Sequence, residues 1–147
     1  MYIYDYYFLG SKQVGFKIKP KAMMSTESKR KLAIVGWRNY RLEQEFEAVV
    51  DSWIEQNGPI DEIISGACAG VDTLAKNYAK RNSIAFVEFP PNKALYGSLA
   101  FRRRNEQIVA ACTHVLALPH KTKSRGTRMT INIARKAGKI VAVFEVS

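Results

Sequence analysis

The sequence predicts an α/β fold, a three-layer sandwich with helices on both faces of a mainly parallel five-stranded sheet. Three observations carry that prediction. From residue 31 onward, short β-rich runs alternate with segments whose apolar residues recur at helical spacing, the pattern of repeated βα units. Glycine-bearing turns follow three of the expected strands, as in Rossmann-like sheets, whose ligands sit beyond the strand C-termini. The length of 147 residues suits one domain with an ordinary core.

Each element has its own signal. Lys31–Gly36 reads as a buried strand. Leu42, Phe46, Val49, Val50, Trp53 and Ile54 then follow at helical spacing, and Gly58-Pro59 stops that helix. A second strand spans Ile60–Ser65, and Val71, Leu74, Ala75, Tyr78 and Ala79 mark one face of a second helix. Ile84–Phe89 is a third strand, closed by Pro90-Pro91, with a loop expected around Tyr96-Gly97. The rest predicts a helix from Leu99 to Cys112, a strand at His114–Leu118, a helix over Thr127–Ala137 stopped by Gly138, and a strand over Ile140–Val146.

Residues 1–30 fall outside this rhythm and form an N-terminal extension to the domain at 31–147. Tyr2, Tyr4, Tyr6 and Phe8 alternate, as do Val14, Phe16 and Ile18, with Gly10-Ser11 between them, so a β-hairpin is expected. Covering a sheet edge, building a homo-oligomer contact or offering aromatic rings to bases are its alternative roles, and packing explains the aromatic residues better than exposure does.

Composition narrows the function classes. The 47% hydrophobic and 24% charged residues are those of a globular protein, and no apolar run reaches the roughly 20 residues a membrane span needs. The N-terminus lacks a basic region ahead of an apolar stretch, so no signal peptide is expected. Cys68 and Cys112 lack close spacing and partner histidines, which points to reduced thiols in a cytoplasmic protein and to no metal site. The net charge of +10 is unevenly placed: residues 97–139 carry 10 Lys and Arg against the single Glu106. An anionic partner on that side is expected, though a solubilising surface explains the charge equally well.

The expected ligand loops lie at strand ends. Ser65–Asp72 reads SGACAGVD, where glycines let the backbone approach a ligand and the following helix presents N–H groups, suiting phosphate. Ser65, Gly66, Ala67, Gly70, Val71 and Asp72 are its candidate ligand residues, and a tight turn capped by Asp72 or Thr73 is the bland alternative. Gly36, Trp37 and Arg38 follow the first strand, and Ser124, Arg125, Gly126 and Thr127 follow the fourth. Of the run Arg102-Arg103-Arg104-Asn105, helical geometry lets only part face one crevice, and Arg104 and Asn105 are singled out. Arg38→Ala and Gly70→Val are each expected to weaken ligand binding without unfolding the domain.

These residues resemble a known family. Val35-Gly36 with Arg38, SGACAGVDTLA at Ser65–Ala75, RRNEQIVAA at Arg103–Ala111 and SRGT at Ser124–Thr127 are similar, in that order, to motifs of the SLOG superfamily. That superfamily includes the DNA-processing protein DprA and the LOG phosphoribohydrolases, and the chain looks most like its small YspA-like branch. The resemblance spans residues 31–146 and implies a Rossmann-like sheet that binds nucleotides or nucleotide-derived ligands. Departures qualify it. Trp37 stands where a serine is usual, as a ring to stack on a base or simply to pack, and Ala69 stands where an arginine is common. Aligned on Gly126-Thr127, Thr130 takes the place of the catalytic Glu of LOG hydrolases, so their mechanism does not carry over.

Three functions follow as expectations: nucleotide binding without a cofactor, DprA-like binding of single-stranded nucleic acid, or N-glycosidic cleavage with a non-standard acid. Asp72 and Glu106 are a conceivable carboxylate pair for the last, with capping and surface exposure their plainer roles. His114 and His120 read as structural or exposed, and Cys68 as a small residue in a tight turn.

Overall fold

The computed structural model describes residues 3–9, 11–18 and 29–147. Strands β1 (Ile3–Leu9) and β2 (Lys12–Ile18) pair antiparallel as a separate two-stranded sheet. Tyr2, Gly10 and the side-chain roles expected of the N-terminal aromatic residues lie outside what is described.

The second sheet contains β3 (Lys31–Gly36), β4 (Glu62–Gly66), β5 (Ala85–Phe89), β6 (His114–Leu118) and β7 (Ile140–Val143) in the order β5-β4-β3-β6-β7. Every pairing in it is parallel. The fold is thus the Rossmann-like α/β arrangement expected, with no antiparallel strand in that sheet. The chain steps outward from β3 to β5, then returns to β6 beside β3. This reversal opens a crevice beyond the ends of β3 and β6, where neighbouring connections leave in opposite directions.

Helices α1 (Glu43–Asn57) and α2 (Val71–Arg81) contribute Phe46, Trp53 and Tyr78 to a core shared with Leu32 and Ile34 of β3. On the other face, Ala33 and Val35 of the same strand join Ile108 and Val109 of α4 (Ala100–Ala111) and Ile131 and Ala134 of α5 (Arg125–Lys136). Alternate residues of β3 feed opposite layers, and both layers are apolar, so the strand reads as one continuous hydrophobic run.

Several boundaries differ from expectation. A short helix, α3 (Lys93–Tyr96), and a single 3-10 turn occupy the expected loop, with the Asn92 side chain accepting the Leu95 N–H at 3.0 Å. Strand β4 runs over 62–66 instead of 60–65, because Arg30 donates its N–H to Asp61 and holds the approach outside the ladder. Strand β7 ends at Val143, after which Phe144 and Val146 bond to the carbonyls of Ala117 and Pro119. Helix α5 begins at Arg125, two residues early, because Ser124 adopts a left-handed φ of 72° and already serves as its N-cap.

Candidate functional site

A cavity of about 480 Å3 fills the crevice at the ends of β3 and β6. Its walls bring together Gly36, Trp37 and Arg38 after β3, Arg104 and Asn105 on α4, and Ser124 to Thr127 at the start of α5. Of the SGACAGVD stretch only Cys68 and Asp72 reach the wall. Ser65, Gly66, Ala67, Gly70 and Val71 do not line the cavity, and the contacts of that turn explain why.

The N–H of Val71, which opens α2, is bonded to the Trp37 carbonyl at 3.2 Å. The protein's own backbone therefore sits where an anion was expected. Gly70 has φ +78°, and a Cβ there would lie 2.3 Å from the Trp37 oxygen and 2.5 Å from the Arg38 carbonyl. The glycine locks two turns together, so a valine at Gly70 would disrupt the fold, contrary to the expectation of a purely local effect. Ser65 donates its hydroxyl to Ile34 O at 2.7 Å, tying β4 to β3.

Gly66 serves the site indirectly. A Cβ on it would lie 2.5 Å from Nη1 of Arg104 and 2.9 Å from Oδ2 of Asp72. The missing side chain thus makes room for a guanidinium and a carboxyl. Asp72 does not cap α2 with its side chain, since Gly70 is the N-cap and carries no side-chain bond. Instead the residue is buried against the crevice. Burial pushes its carboxyl up to about 7, against the opposing pull of the Arg104 charge, the Ser65 hydroxyl and the Cys68 N–H.

Helix α4 sorts the arginine run as its geometry requires. Arg102 and Arg103 turn to Glu106 at 3.2 and 3.1 Å, and these two arginines hold its carboxyl below the usual range. Glu106 is absent from the crevice wall, so the conceivable pair with Asp72 does not form there. Arg104 alone of the three lines the crevice, its Nε donating to Asn105 Oδ1 at 2.9 Å. Phe101 and Ile108 also line it and were missed. Their signal was present in the spacing, because residues 101, 104, 105 and 108 share one helical face.

The turn before α5 is built around His120. Its Nδ1 accepts the backbone N–H groups of Thr122 and Lys123, each at 3.2 Å, and the His120 backbone N–H donates to Ser124 Oγ at 3.0 Å. The ring packs on Trp37, with centroids 4.3 Å apart, and Trp37 also leans on the core. His120 is therefore a structural histidine. A Cβ on Gly126 would meet nothing within 4 Å, so the first turn of α5 opens toward the cavity that it lines. Helix-initial N–H groups have no partner within their own helix, and Arg104, Lys123, Arg125 and Arg38 surround this opening. Thr130 lines the cavity too, with its hydroxyl donated to Gly126 O at 3.2 Å.

Residues 30–96 match the family model described as YspA, cpYpsA-related SLOG family. Over that stretch, a little under half of its length, the chain is similar to the SLOG family. The matched segment covers β3, α1, β4, α2, β5 and α3, and thereby the first crevice turn and Asp72, while α4 and α5 follow it in the chain. A search of curated proteins finds no match. Among the described residues, no helix is long and apolar enough to cross a membrane.

Proposed function

We propose that the crevice binds a nucleotide or nucleotide-derived ligand, with its phosphate at the first turn of α5. The observation that carries this reading is the convergence of Arg104, Lys123 and Arg125 on a helix N-terminus left open at Gly126. The similarity of residues 30–96 to the SLOG family supports a nucleotide-related role, and Phe101 and Trp37 add aromatic surface within the same wall. Titration calorimetry against mononucleotides, cyclic nucleotides and ADP-ribose tests it. Micromolar or tighter binding, weakened by Arg38→Ala, is the expected outcome. Salt-steep binding of oligonucleotides with no affinity for small nucleotides would sink the reading.

One observation favours a second reading, N-glycosidic cleavage. Asp72 offers the crevice a carboxyl that holds a proton near neutral pH beside Arg104, which suits an acid donating that proton to a departing base. Incubation with nucleoside monophosphates, followed by chromatography for free base, tests this. Base release that Asp72→Asn abolishes would support it, and intact nucleotide after prolonged incubation would dismiss it.

A further inference from the structure

The crevice continues beyond the turn that opens α5. Across Lys123-Ser124-Arg125 lies a second cavity of about 930 Å3, larger than the crevice's 480 Å3 and sharing those three residues as a common ridge. It runs beside α4 and α5, which pack against each other. Its cationic residues are Arg102, Lys123, Arg125, Arg128 and Lys136, and the one carboxylate among the described residues lining it, Glu106, is engaged by Arg102 and Arg103. Met129, Ile133 and Ala137 give the same groove an apolar surface. Arg128 donates to the carbonyls of His120 and Lys121 at 2.9 and 3.0 Å, so it shapes the rim, while Lys136 is exposed.

We infer that this groove is a second anion subsite, taking the phosphate and base of a second nucleotide joined to the one in the crevice. The inference rests on the reading of the crevice as a nucleotide site. A cationic ridge between two cavities suits a bridging phosphate, because Lys123 and Arg125 line both cavities. An apolar surface rimmed by cations suits the rest of a nucleotide, since a base is flat and apolar on its faces while its backbone is anionic. Inorganic phosphate or a mononucleotide would leave the larger cavity unused. The shared chemistry is a 5′-phosphorylated dinucleotide unit, whether free or at the end of a strand.

The test compares affinities of the full chain for AMP, the 5′-phosphorylated adenylate dinucleotide and a longer oligoadenylate, at low and near-physiological salt. The dinucleotide is expected to bind about tenfold tighter than AMP, with the steeper salt dependence of an added phosphate contact. Lys136→Glu and Asn132→Glu, both at exposed positions of α5, should remove that tenfold gain and leave AMP affinity unchanged. Equal affinity for AMP and dinucleotide, or a gain that survives both substitutions, would overturn the inference while leaving the crevice reading intact. Failure of all three ligands to bind would overturn the inference, and failure of the other mononucleotides, cyclic nucleotides and ADP-ribose as well would overturn the crevice reading. Affinity that stops rising at the dinucleotide supports the groove as a site for a free dinucleotide; affinity that rises with length supports it as the seat of a strand end.

Discussion

Two turns of this molecule look alike in sequence and do opposite work. The turn from β4 into α2 places Gly66 and Gly70 against the protein's own atoms, whereas the first turn of α5 leaves Gly126 facing empty space. In the first, the Trp37 carbonyl takes the leading helix N–H; in the second, the helix start lines a cavity. A glycine at a helix start therefore does not by itself signal a close approach, which the rest of the fold decides. Here one turn is approached by backbone and the other is open to a ligand.

The largest expected effect comes from breaking the closed turn. Gly70→Val forces a side chain into the Trp37 and Arg38 carbonyls at a left-handed φ. A loss of at least about 3 kcal/mol is expected, seen as a drop in Tm on the order of 10 °C. A Tm within error of the native protein would contradict the tight fit.

Gly66→Ala separates stability from binding. The added methyl meets the far end of Arg104, which can swing away, and Oδ2 of the buried Asp72, so unfolding should shift by about 1–2 kcal/mol. Displacing the guanidinium should weaken nucleotide binding by roughly ten- to a hundredfold, the range of a charge-assisted hydrogen bond. Normal affinity in the variant would remove Arg104 from the site.

Asp72 sharpens the comparison by pH. Its folded pKa of about 7 lies above its ordinary value of 3.8, so the folded state holds the proton longer than the unfolded state does. Stability from this group therefore falls as pH rises between those values, and the cost is complete above about 7. Ionisation also sets a negative charge beside the bound anion. Affinity for sulfate, whose own charge is constant here, should fall on the order of tenfold as pH rises through that range. Asp72→Asn should flatten the profile, and a flat profile in the native protein would refute the assignment.

The smallest effect belongs to Gly126. Alanine there fills open space within a helix, so stability should stay level or rise by about 0.5–1 kcal/mol. Ligand affinity should nonetheless fall severalfold. A variant that binds as well as the native protein would show that the phosphate does not come close to this turn.

Much of the architecture was legible because apolar periodicity is a local property. Leu32, Ala33, Ile34 and Val35 announce a strand buried on both faces, and Phe46, Val50 and Trp53 announce one face of a helix. The crevice was legible at Arg38, Arg104 and Ser124–Thr127, which lie at strand ends or on the helix bordering them. What escaped depends on contacts distant in sequence. Whether the N–H of Val71 is spent on Trp37 depends on a contact across more than thirty residues, and turn composition carries no trace of it. The burial of Asp72 likewise depends on α4, which follows much later. The start of α5 was misplaced because Ser124 takes a left-handed conformation that its sequence neighbours do not announce.

The tilted packing of Trp37 on His120 has a use beyond architecture. The chain contains two tryptophans: Trp53 is sealed in the core with its ring edge-on to His114, while Trp37 forms part of the crevice wall. Any occupant of the crevice must alter the surroundings of one indole and leave the other untouched. The protein thus carries a built-in optical gauge with its own internal reference, in which the emission of Trp37 reports occupancy and that of Trp53 supplies the baseline.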